Sequence, residues 1–129
     1  MFTQKQKTII FSGKVIKGQG MGKEIGFPTI NLDRRGFSKL ENKPPFGVYY
    51  GTAILSDKIY KAGIVLGPVD KGGLPKLEAH LIGFFGNARG MHATIEIKGF
   101  IREFRNFKSV KELSEQIQRD IDLISNLKF

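Results

Sequence analysis

The sequence predicts a mainly β domain, a small barrel or sandwich, with one amphipathic helix at its C-terminal end. Three observations carry that prediction. Several runs of β-branched, aliphatic and aromatic residues recur at short spacing. Gly- and Pro-containing connections separate them at 33–45 and 67–75. Beyond residue 108 the apolar residues change period, from alternation to steps of three and four.

The elements follow in chain order. Residues 8–16 form the first run, with Ile9, Ile10, Phe11, Val15 and Ile16. A second occupies 46–55, and Ser56, Asp57 and Lys58 make a turn into 59–66, so these two runs form a hairpin. A fourth strand is expected over 76–84, turn chemistry at Gly86-Asn87, and a fifth strand over 91–97. Ser109 and Glu112 form a capping box for a helix of about 109–125, in which each satisfies a free N–H of the first turn. Val110, Leu113, Ile117, Ile121 and Ile124 make one apolar stripe along it. The expected role of this helix is structural, to cover one opening of a barrel.

Composition narrows the function classes. A chain of 129 residues, read as one domain over 1–129, is long enough to bury roughly 65% of its unfolded surface around a single core. With 40% hydrophobic and 26% charged residues it has the balance of a soluble globular protein. No apolar run reaches the roughly 18 residues of a membrane span, and residues 1–7 lack the apolar core of a signal peptide. Cysteine is absent, which excludes disulfides and thiolate catalysis, and two histidines leave no ordinary zinc cluster. A cytoplasmic protein with no membrane partner, acting as a monomer, is the expectation. The net charge of +9 resides in residues 1–107, because 108–129 carries four cations and four anions. That charge favours polyanions in general. The cations are scattered and tryptophan is absent, so nucleic acid is disfavoured as a partner.

The segment 18–31 is the most informative stretch. Gly18, Gly20, Gly22 and Gly26, with Lys23 among them, lead into Pro28-Thr29-Ile30-Asn31. Glycines allow positive φ and close approach of backbone N–H groups, the makings of an anion-binding nest. Thr29 and Asn31, two residues apart, present neutral oxygens on one face of an extended segment. Such oxygens beside phosphates suit Mg²⁺ or another divalent cation. Neither standard phosphate motif is present. Gly22-Lys23 is followed by Glu24 rather than Ser or Thr, and the third glycine of a dinucleotide fingerprint is misplaced. A long flexible hairpin loop is the competing reading of the same glycines.

One carboxylate stands out. In 77–81 the alternation places Leu77, Ala79 and Leu81 toward a core, with Glu78 and His80 on the opposite face. Glu78 is placed to act as a general base on a substrate hydroxyl, or it is an ordinary solvent-facing glutamate. His80 is expected to be a neighbour or surface residue rather than a catalyst.

Taken together, these residues resemble the riboflavin kinase (flavokinase) family. The run 22–32, from Gly22-Lys23 through Gly26-Phe27-Pro28-Thr29 to Asn31-Leu32, is similar to its signature. Further similarities are Pro45-Phe46-Gly47-Val48-Tyr49, the strand Leu77-Glu78-Ala79-His80-Leu81, and the closing segment 101–107 with the helix carrying Leu113, Gln116, Ile117 and Asp120. The resemblance runs in order from about residue 10 to residue 125. It implies a small closed antiparallel Greek-key β-barrel with a C-terminal amphipathic helix. It implies transfer of the γ-phosphate of ATP to the ribityl 5′-hydroxyl of riboflavin, giving FMN and ADP. On that basis Thr29 and Asn31 hold Mg²⁺ with the nucleotide phosphates. The loop with Gly18, Gly20, Gly22, Lys23 and Gly26 arches over those phosphates. Glu78 is the base, and Arg102 lies near the flavin.

The chain departs from the family pattern in two loops. Residues 64–73 replace the usual block after the third strand, and Arg89-Gly90 puts a cation where an aromatic ring is usual. Many bacterial members are also fused to an adenylyltransferase module that makes FAD. A chain of 129 residues has no room for one, so FMN is the expected last product. Two other readings remain. One is a flavin- or nucleotide-binding barrel that has lost catalysis. The other is a basic barrel that stacks single-stranded nucleic acid on Phe11, Phe46, Tyr49, Tyr50, Phe84 and Phe85.

Overall fold

The structure is a computed structural model, and it describes residues 9–16, 26–33, 37, 43–69 and 71–129. Six strands close into one antiparallel barrel: β1 (Ile9–Ile16), β2 (Ile30–Leu32), β3 (Gly47–Leu55), β4 (Lys58–Val69), β5 (Pro75–Leu81) and β6 (His92–Arg102). Their order around the barrel is β1-β2-β5-β4-β3-β6, with β6 pairing back onto β1. Strands β3, β4 and β5 are consecutive neighbours and β6 returns beside β3, which is the Greek-key arrangement. Among the described residues every strand has a neighbour on both sides.

The period-two pattern builds the interior. Phe11 and Val15 of β1, Leu32 of β2, Leu55 of β3, Ile64 and Leu66 of β4, and Ile95 of β6 meet inside the barrel. In β5 the alternation holds at every position, with Leu77, Ala79 and Leu81 buried. The β3–β4 hairpin turns through Ser56 (φ 50) and Asp57 (φ 64). Two left-handed residues match the right-handed twist of the strands they join.

Strand extents differ from the sequence expectation. The three-residue β2 is too short to show a period and was not among the expected strands, although Thr29 and Asn31 were expected on an extended segment. Strand β4 runs on to Val69 and β5 starts at Pro75, so the 67–75 connection is shorter than expected. Strand β5 ends at Leu81 rather than residue 84, where Phe84 N–H donates to the Leu81 carbonyl in a turn. Strand β6 continues past residue 97 to Arg102 through two register shifts against β3. Glycines make that irregular pairing possible. A Cβ at Gly51 would stand 1.9 Å from the Glu96 carbonyl oxygen, and one at Gly99 would stand 2.3 Å from the Tyr50 ring.

The helix α1 (Val110–Asn126) begins as expected. Glu112 N–H donates to Ser109 Oγ (3.1 Å), and the Glu112 carboxylate accepts from Lys108 N–H (3.1 Å). Its position corrects the expectation. It does not plug a barrel opening but lies on the outer wall, where a Cβ at Gly63 of β4 would touch Ile124 Cδ1 at 3.4 Å. Only Ile124 of the apolar stripe is fully buried, and Val110 is 63% exposed. The last turn of α1 has no basic residue of its own. Lys61 of β4 supplies one, donating to the carbonyls of Ser125 (3.3 Å) and Leu127, where a cation opposes the negative end of the helix dipole. Among the described residues no helix is long and apolar enough to cross a membrane.

Candidate functional site

Thr29, Asn31 and Glu78 meet on the outer face of the barrel. Gly26 turns the chain with φ 90, a left-handed conformation that favours glycine. Phe27, Pro28 and Thr29 then lead into β2. Because Ile30 and Leu32 point inward and are buried, Asn31 faces out. Asn31 pairs with Ile16 of β1 on one side and with Glu78 of β5 on the other. Thr29 lies one register step beyond Ile30–Ala79, opposite His80, on the same outward face. Residues widely separated in sequence are thereby held within one small patch.

Glu78 is half-buried, flanked by Asn31 and by Val65 of β4. His80 closes the patch on one side. Its Nδ1 is 2.7 Å from the Pro28 carbonyl oxygen, and its ring meets that of Phe27 edge-on at 6.0 Å. The sequence placed His80 beside Glu78 but offered no sign of this bond, because its partner is 52 residues away.

The donor set fits a hard cation that shares its shell with phosphates and water. Among the described residues no three His, Cys, Asp or Glu side chains cluster as a dedicated metal cage. Mg²⁺ is a hard cation that takes oxygen ligands and needs few of them from a protein when phosphates and water supply the rest. Gly18, Gly20, Gly22 and Lys23 lie outside the described residues.

The C-terminal end of β1 is held by the 88–91 connection. Val15 N–H donates to the Met91 carbonyl (2.8 Å), and Gly90 N–H donates to the Val15 carbonyl (3.0 Å). Asn87 Oδ1 accepts from Arg89 N–H (2.9 Å) in the same connection. The exposed Arg89 therefore stands close to the C-terminal end of β1.

Arg102 ends β6 opposite Val48, which in turn pairs with Val65. Three strand steps separate it from Glu78, roughly 14 Å at about 4.8 Å each. Its guanidinium is engaged with Asp120 of α1: Nη2 donates to Oδ2 at 2.8 Å, and Nε lies 3.2 and 3.1 Å from the two oxygens. Gln116 Nε2 adds a hydrogen bond to Asp120 at 2.9 Å. The sequence did carry a sign of this pair. Asp120 stands three residues after Ile117 and four before Ile124, on the stripe that faces the protein. Beside the pair opens a cavity of about 520 Å³, lined by Ile101, Phe104, Arg105, Arg119 and Leu123 among others. That is within the range of small-molecule sites.

The rings needed for a nucleic-acid surface are mostly committed elsewhere. Phe11 and Tyr49 belong to the core, Phe84 packs against it, and Tyr50 packs on Phe129. Phe46 and Phe85 alone of the six are exposed.

The family model for riboflavin kinase, Flavokinase, matches residues 5–128. The chain belongs to the riboflavin kinase family. Mouse riboflavin kinase is 32% identical over 115 residues, 85% of this chain and 74% of that protein. The bifunctional riboflavin kinase/FMN adenylyltransferase of Bacillus subtilis is 34% identical over 125 residues, 90% of this chain. This family member spans only 39% of that bifunctional protein. The crystal structure of riboflavin kinase from Trypanosoma brucei shares the fold, with a TM-score of 0.68 at 22% identity over 95% of this chain and 81% of that one. The Greek-key barrel with a C-terminal helix, expected from the sequence, is the fold of the family.

Proposed function

We propose that this domain phosphorylates riboflavin, transferring the γ-phosphate of ATP to the ribityl 5′-hydroxyl and yielding FMN and ADP. One observation carries the reading: the β2–β5 ladder sets Asn31 directly beside Glu78, with Thr29 on the same face. A base for the hydroxyl and neutral oxygens for a phosphate-bound cation thus share one patch.

Glu78 accepts the proton of the 5′-hydroxyl as its oxygen bonds to the γ-phosphorus. The bond from that phosphorus to the β–γ bridging oxygen breaks, and ADP leaves with the bond electrons. Thr29 and Asn31 would hold Mg²⁺ or another divalent cation, which when bound neutralises charge on the phosphates. Gly18, Gly20, Gly22 and Gly26 line the backbone cover over the phosphates, and Lys23 adds a side-chain cation. Positioning and charge neutralisation are most of what phosphoryl transfer asks of a protein. Arg102 has its guanidinium held by Asp120, so its part on the flavin side is to fix the β6–α1 junction and one wall of the adjoining cavity. The domain acts as a single cytoplasmic unit over residues 1–129, as a monomer.

The test is incubation of the protein with riboflavin, Mg²⁺ and ATP, followed by chromatographic detection of FMN. FMN formation is the expected result. Absence of FMN with either ATP or CTP as donor overturns the assignment.

A further inference from the structure

We infer that His80 is a positioning residue for the metal-binding oxygens, acting through the Pro28 carbonyl to fix Thr29; this rests on the kinase reading above. The β2–β5 ladder has Ile30 opposite Ala79 and Asn31 opposite Glu78, and regular pairing ends there. Pro28 has no N–H to extend it. Its carbonyl is instead held by the His80 side chain, with Nδ1 2.7 Å from the oxygen. A carbonyl oxygen only accepts, so Nδ1 is the donor, and in the neutral ring the lone pair is on Nε2. The edge-on contact with Phe27, at 6.0 Å and 79°, fixes the ring from a second side.

The consequence falls on the next residue. Proline fixes its own φ near −65° and keeps the preceding Phe27 extended. With the Pro28 carbonyl pinned as well, the peptide plane between Pro28 and Thr29 has one orientation. That plane sets the direction of the Thr29 Cα–Cβ bond relative to Asn31. Mg²⁺ demands near-ideal octahedral geometry at about 2.0–2.1 Å, so a shift of a fraction of an ångström at one donor weakens the site. Partners that orient ligands in this way change metal affinity by about 10–100-fold when removed. His80 touches neither the proton nor the phosphate in this scheme.

Three variants test it: His80→Leu, His80→Asn and His80→Gln. The asparagine amide nitrogen occupies nearly the position of Nδ1, whereas the glutamine amide reaches one bond further. Steady-state FMN formation is measured against Mg²⁺ at fixed ATP, and against riboflavin at saturating Mg²⁺. The expected result is a Mg²⁺ half-saturation raised about tenfold or more in His80→Leu and His80→Gln. His80→Asn stays close to the parent, and KM for riboflavin is unchanged in all three. If His80→Leu does not fold, the asparagine–glutamine contrast decides. Equal Mg²⁺ dependence in those two, or parent-like dependence in a folded His80→Leu, overturns the inference. Mg²⁺-dependent ADP binding by calorimetry gives the same comparison without turnover. An unmodified protein that makes no FMN counts against the kinase reading, while FMN formation with indistinguishable variants counts against His80 alone.

Discussion

Asn31 and Glu78 are directly opposite one another in the β2–β5 ladder, although 47 positions separate them in the chain. Adjacent strands lie about 4.8 Å apart, so the two side chains leave the same face as immediate neighbours. On the proposed reading, a neutral oxygen and a carboxylate in that relation would divide the work between a cation and a proton.

Glu78→Gln keeps the shape of the side chain but replaces one acceptor oxygen by an NH₂ donor and removes its ability to take a proton. The expected outcome is a fall in kcat of about 10²–10⁴-fold, the usual contribution of a general base. Binding of Mg²⁺ and ADP, followed by calorimetry, should change little. Full kcat in this variant excludes Glu78 as the base.

Thr29→Ala and Asn31→Ala each remove one neutral oxygen from the patch. Nucleotide affinity in the presence of Mg²⁺ is expected to fall about tenfold or more in either variant. Affinity measured in EDTA should differ much less from the parent. Equal losses with and without the metal would assign these residues to the nucleotide alone.

Arg102 and Asp120 join the end of β6 to α1 with side chains only 17% and 10% exposed. Asp120→Ala leaves a largely buried guanidinium unpaired, at a cost of about 3 kcal/mol in urea unfolding. The double change Arg102→Met with Asp120→Leu should cost less than Asp120→Ala alone, because no buried charge is stranded. A double mutant as unstable as the single one would mean that helix packing, not the ion pair, fixes the junction.

Burial raises the pKa of the Tyr49 hydroxyl above its ordinary value of 10.0. The unfolded chain therefore loses this proton at a lower pH than the folded barrel does. The stability contributed is complete below pH 10 and is lost as the pH climbs from there through the higher folded value. Tyr49→Phe, which also gives up the hydrogen bond to the Pro45 carbonyl, should lower stability at neutral pH by about 1 kcal/mol. It should also flatten the fall in thermal midpoint above pH 10. An unchanged alkaline slope would show that other groups set it.

Part of this molecule was legible before any coordinates. The alternation of Leu77, Ala79 and Leu81 placed Glu78 on the outward face, and that pattern depends only on the two-residue period of a strand. Ser56-Asp57 gave the hairpin turn, and Ser109 with Glu112 gave the helix start, because turns and caps are satisfied by neighbours in the chain. The three residues of β2 were too few to show a period. The far end of β6 was hidden because Gly99 looks like a break. It is a strand position where the Tyr50 ring crosses too closely to admit a Cβ.

The sequence by itself determined that a small, mainly β domain carries a glycine-rich segment, a Pro-Thr-x-Asn run and an outward glutamate. Local preferences suffice for that much. Only the tertiary structure decided that Asn31 stands beside Glu78, that His80 holds Pro28, and that Asp120 reaches Arg102. Those relations depend on ladder register and on where a helix docks. Both are set by the fit of Ile30, Leu32, Ile64 and Leu77 inside the barrel and of Ile124 against Gly63 outside it. Packing of that kind is a property of the whole closed structure, and no single segment states it.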